Sequence, residues 1–151
     1  MSGASESNPR RNSEDLVAAI PYAAYLDLRI EYADDGQARV YRMPYRDELI
    51  GSQRLPALHG GTVASLLELA MQLEVLIAES QTRIPYPVDF SIDYWRSAAA
   101  VDCYCQCRLI RSGRRIAQVQ AECWQDDRER PIAFARADFL LRAVDGENAP
   151  E

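Results

Sequence analysis

HGGTVASLLELAMQLEVLIAE, residues 59–79, is the stretch on which the fold turns. It carries no proline, and Val63, Leu66, Leu67, Ala70, Met71, Leu73 and Ile77 recur largely at intervals of three and four. That spacing predicts one long helix with most of its surface buried. Two glycines at its start, Gly60 and Gly61, favour close approach of another backbone or of a ligand.

Outward from this helix the period changes from helical to alternating. Upstream, Leu26, Leu28, Ile30 and Tyr32 share one face opposite Asp27, Arg29 and Glu31. Asp34-Asp35-Gly36 reads as a turn, and a second strand is predicted from about Gln37 to Met43. Ser13 is a plausible N-cap for a short helix over 14–20 that Pro21 would stop. Downstream, alternation returns in four segments: Val88 to Tyr94, Val101 to Leu109, Ala117 to Cys123 and Ala133 to Leu141. Ser112-Gly113 and Asp126-Asp127 mark turns between them. Two strands, a helix and four half-apolar strands predict an α+β chain with a mostly antiparallel six-stranded sheet wrapped around one long central helix. Alanine and cysteine dominate the apolar face of the later strands, which lets the helix sit close to the sheet.

Composition narrows the functional classes. The chain has 151 residues, which suits one domain spanning 14–143, with flexible polar tails at 1–13 and 144–151. The net charge of -6 disfavours nucleic acid and anionic membrane as partners. No run reads as long and apolar enough to cross a membrane, and the N-terminal stretch has no apolar signal core. The four cysteines, Cys103, Cys105, Cys107 and Cys123, lack the paired spacing and histidine partners of a zinc site. They read as small buried hydrophobes in a reducing, cytoplasmic setting, with no metal and no cofactor expected.

His59 is the only histidine, and it directly precedes Gly60-Gly61 at the start of the long helix. A helix start leaves N–H groups unpaired and carries partial positive charge. Such a start can polarise a carbonyl oxygen, as an oxyanion hole does. A glycine-rich loop with a locally packed histidine explains the same residues. Glu68 is a carboxylate within the apolar helix, costly unless paired or used, although with Gln72 it also fits a narrow solvent stripe. Glu74 and Glu79 fall on other faces and read as solvent-facing.

The run Gln53-Arg-Leu-Pro-Ala-Leu-His59-Gly60-Gly61 followed by Glu68 resembles the signature of hotdog-fold thioesterases. It is most similar to the PaaI-like branch, which includes one class of 4-hydroxybenzoyl-CoA thioesterases. In that pattern an amide stands six residues before the histidine and an acid nine after it, which Gln53 and Glu68 match. The segments Tyr94-Trp95-Arg96-Ser97-Ala98 and Arg111-Ser112-Gly113-Arg114-Arg115 are also similar to family segments. Pro56, where relatives often have glycine, and Gln72, where many have Ser or Thr, depart from it.

The resemblance implies a hotdog fold and an acyl-CoA thioesterase working as a homodimer or homotetramer with shared active sites. In it, the Gly60 N–H binds the thioester oxygen and Glu68 acts as general base or nucleophile. Gln53 orients water or thioester, and His59 orders the loop. Gly61 and Gln72 line the substrate site. Arg96, Arg114 and Arg115 are candidates for CoA phosphates, or simply exposed charges. Enoyl-CoA hydration is argued against, because Arg54 stands where hydratase relatives carry an Asp five before the histidine. A non-catalytic acyl-CoA binder is the alternative from another class, and it would dispense with the acid.

Overall fold

The computed structural model describes residues 9–81 and 83–141. The elements are α1 (Pro9–Ala18), α2 (Pro21–Tyr25), β1 (Arg29–Tyr32), β2 (Arg39–Met43), β3 (Ile50–Ser52), β4 (Ala57–Leu58), α3 (Gly60–Ala78), β5 (Tyr86–Tyr94), β6 (Cys103–Ser112), β7 (Ile116–Trp124) and β8 (Ala133–Leu140). Six strands form one antiparallel sheet in the order β1-β2-β6-β7-β8-β5, and β3 and β4 form a separate hairpin. The predicted sheet and its one long helix are therefore present as a hotdog arrangement.

α3 lies against β6, β7 and β8, with β5 at its margin. Leu66, Leu67, Met71, Leu73 and Val75 are fully buried beneath it. Each such side chain contributes about 1.5–3 kcal/mol of hydrophobic stabilisation. The facing sheet residues are small, as expected: Ala117, Ala121 and Cys123 on β7, and Ala133, Ala135 and Ala137 on β8, all buried. Val119 and Phe139 are the larger buried side chains on these two faces.

Several expectations need correction. The first helix starts at Pro9, and Ser13 lies inside it instead of capping it. Proline suits a first helical turn because its missing N–H would have no acceptor there. Pro21 does stop α1, but it also opens α2. β1 begins only at Arg29, because Asp27 adopts a left-handed backbone (φ 53°) that breaks the alternation after Leu26. The tails expected at 1–13 and 144–151 lie outside the described residues, apart from the helical 9–13. α3 is in fact long and apolar enough to cross a membrane by length and composition. Its position as the core helix accounts for that character.

Glu74 is not solvent-facing. It accepts hydrogen bonds from Arg39 at Nε (3.0 Å) and Nη2 (2.7 Å), and from the Tyr41 hydroxyl at 2.7 Å. Arg39 and Tyr41 alternate on β2 and so share the face that meets α3. Tyr41 is fully buried, and burial together with the neighbouring Glu74 charge pushes its phenol well above its ordinary pKa. This network ties the C-terminal part of α3 to the sheet.

The cysteines pack as expected. Cys103, Cys105 and Cys123 are buried, Cys107 is half-buried, and all four are free thiols. Burial pushes the Cys105 thiol up, and a hydrogen bond with Cys103, reinforced by burial, pushes the Cys123 thiol up. Thiolate is the reactive form, so a disulfide-exchange reagent should modify the native protein slowly, Cys107 first, and react promptly only after denaturation. Rapid native-state modification of several thiols would contradict this packing.

Candidate active site

The site begins where the β3–β4 hairpin feeds into α3. The His59 N–H donates to the Leu49 carbonyl (2.9 Å) and the Leu58 N–H to the Ala98 carbonyl (2.9 Å), fixing the entry path of the chain. Gly51 makes this path possible: a Cβ there would sit 2.8 Å from the His59 Cα. His59 caps the helix, its Nδ1 accepting from the Gly61 N–H at 2.9 Å. Gly61 is small for the same reason, since a Cβ on it would lie 2.9 Å from that nitrogen.

The first turn of α3 can then be accounted for donor by donor. The Gly61 N–H goes to His59 Nδ1, and the Thr62 and Val63 N–H groups go to the His59 carbonyl at 2.9 and 3.2 Å. The Gly60 N–H alone in this turn has no acceptor among the described residues. Gly60 also lines a cleft of about 410 Å³ with Leu58, Val63, Tyr94, Trp95 and Arg96. An unspent donor at a positive helix end, on a residue that lines a cleft, can hold a developing oxyanion.

Glu68 lies on the less buried stripe of α3, with Ser65 and Gln72, and makes no hydrogen bond or ion pair with the described residues. It stands eight residues after Gly60, about 12 Å along the axis at 1.5 Å per residue. The two groups are thus about two helical turns apart. Gln53 is exposed in the β3–β4 turn, without a bond to His59, Gly60 or Glu68. Gln72 directs its amide N–H to the Pro85 carbonyl (2.8 Å), bracing the loop into β5.

Arg96 sits at the cleft beside Gly60, whereas Arg114 and Arg115 occupy the β6–β7 turn. That turn adjoins the Ile116↔Leu140 and Tyr86↔Leu140 pairs, at the opposite end of β5 from Tyr94. Nine strand residues separate these ends, roughly 26 Å at the usual rise. Within one chain the arginines do not converge.

Tyr94 is the residue that strand alternation alone did not single out. It donates its hydroxyl to the Gly60 carbonyl at 2.7 Å across 34 residues of sequence. Only the nearness of the end of β5 to the start of α3 reveals it.

The sequence matches the acyl-CoA thioesterase N-terminal domain family over residues 51–140, a span that holds Gln53, His59, Gly60, Glu68 and Tyr94. The chain belongs to this acyl-CoA thioesterase family. Solved structures agree with this family assignment in fold. A crystal structure from Chromobacterium violaceum is 31% identical with TM-score 0.70, covering 91% of this chain and 94% of that one. Thioesterase superfamily member 2 from Mus musculus has TM-score 0.72 at 18% identity, covering 90% and 99%. A Bacillus halodurans protein solved with CoA has TM-score 0.69 at 15% identity, covering 93% and 98%. No match was found among the curated proteins.

Proposed function

We propose that this thioesterase-family chain hydrolyses an acyl-CoA thioester to a free acid and CoA. The observation that carries the reading is the single unspent N–H of the α3 start, at Gly60, opening on a cleft. In this reading the thioester oxygen accepts from Gly60, which stabilises the negative charge that develops when the carbonyl carbon is attacked. Glu68 takes a proton from the attacking water, or attacks directly to form an anhydride that water then opens. The C–S bond breaks, the CoA thiolate leaves and is protonated, and the acid departs. Gln53 orients the water or the thioester, and His59 keeps the loop in place.

The 12 Å spacing along α3 supports a site shared by two chains, with Glu68 of one copy facing Gly60 and Gln53 of another. The bare edge of β5 and the half-buried stripe of Ser65, Glu68 and Gln72 are surfaces that a second copy would cover. Arg96 beside the cleft is suited to a CoA phosphate, and Arg114 and Arg115 would join it only from another copy. The CoA held by the Bacillus halodurans protein of similar fold is in keeping with this ligand.

The test is subunit exchange. Glu68→Gln and Gln53→Ala proteins, each impaired, are mixed, dissociated and re-associated. With statistical exchange in a two-fold dimer, half the molecules are mixed and each holds one intact site, so about a quarter of wild-type activity is expected. Activity no higher than the mean of the two parents would place the site within one chain and overturn the shared arrangement.

A further inference from the structure

We propose that Tyr94 is a positioning residue for thioester hydrolysis, acting through the Gly60–Gly61 peptide; the inference rests on the reading of Gly60 as the oxyanion donor. This peptide group is held at both ends. Its carbonyl accepts from the Tyr94 hydroxyl at 2.7 Å, and its N–H donates to His59 Nδ1 at 2.9 Å. The neighbouring His59–Gly60 peptide is fixed at its carbonyl by Thr62 and Val63, and its free end is the Gly60 N–H. A donor whose two flanking peptide groups are both clamped has little freedom to reorient.

The base from which Tyr94 reaches is itself rigid. Tyr94 pairs with Ala133 on β8, and the Trp95 and Arg96 N–H groups both donate to the Ile132 carbonyl, at 2.9 and 3.1 Å. The Trp95 ring stacks on Phe134 with centroids 5.9 Å apart and planes 6° from parallel. The Tyr94 ring and hydroxyl lie close beside Gly60, 3.5 Å from where a Cβ on it would stand. An exposed tyrosine, 52% accessible, that spends its hydroxyl on a helix-start carbonyl adds little to the core. Its geometry is that of a support for a preorganised donor, of the kind that keeps a site within a fraction of an ångström of its working position.

The experiment compares wild type, Tyr94→Phe and Glu68→Gln for kcat and KM on one acyl-CoA. It is run with thermal melting and amide hydrogen exchange of Gly61. Tyr94→Phe keeps the ring and removes only the hydroxyl. The expected result is a kcat about tenfold lower, the scale of one lost hydrogen bond in the transition state. KM should stay within about twofold and the melting temperature should not change, while exchange at Gly61 speeds up as the clamp loosens. A Tyr94→Phe protein with wild-type kcat, beside a Glu68→Gln protein that has lost activity, would overturn the inference and leave the thioesterase reading standing. A fall in melting temperature that accounts for the lost activity, or a change confined to KM, would also overturn it by making Tyr94 structural or a substrate contact. No thiol release by wild type would overturn the functional reading and, with it, this role.

Discussion

Glu68→Gln is expected to lower kcat by roughly a hundredfold or more, the usual scale for losing a general base. The fold should be unaffected, because Glu68 lies on the less buried stripe of α3 and holds no partner among the described residues. Glutamine keeps nearly the same shape but can neither take a proton nor attack a carbonyl carbon. KM should change much less, since ground-state binding comes from the cleft and the CoA contacts. Steady-state kinetics beside a melting curve check both halves. Turnover equal to wild type would remove Glu68 from the mechanism.

Glu74→Ala is expected to destabilise the protein by about 2–4 kcal/mol with little direct effect on chemistry. The loss has two sources. The Arg39 guanidinium, 23% exposed, loses its ion-pair partner among the described residues, and the fully buried Tyr41 hydroxyl loses its acceptor. Residual water access to Arg39 keeps the figure below that of a wholly buried pair. Replacing the set with apolar groups of similar size, Arg39→Met, Tyr41→Phe and Glu74→Leu, should recover most of the loss, because no charge or donor is then stranded. Denaturant unfolding measures both. If Glu74→Ala matched wild type, the network would be incidental to stability.

The two glutamates show how far the sequence could be read. Both stand on an apolar helix, and periodicity cannot say which face meets water and which meets a partner. The cue for Glu74 lay elsewhere, in Arg39 and Tyr41 sharing a face of β2, and it becomes meaningful only once β2 is known to flank α3. The helix and the four later strands were legible because each has a long apolar period, and β1 and β2 because a turn signal at Asp34-Asp35-Gly36 separates them. The β3–β4 hairpin was not, since strands of three and two residues carry too short a pattern to register. His59, Gly60 and Gly61 stood out as a motif, yet their division of labour needed coordinates. Gly61 serves the His59 cap, and Gly60 keeps the free donor. The Tyr94 bond joins elements 34 residues apart, and no local pattern encodes it.

Cleavage of acyl-CoA thioesters by this chain is checked by measuring thiol release by wild-type protein across aryl, short-chain and long-chain acyl-CoAs. Saturable release of CoA from at least one of these classes, far above the rate in buffer, is expected. Saturable binding of the same acyl-CoAs without release from any of them would contradict it and make the chain a binder instead of a hydrolase.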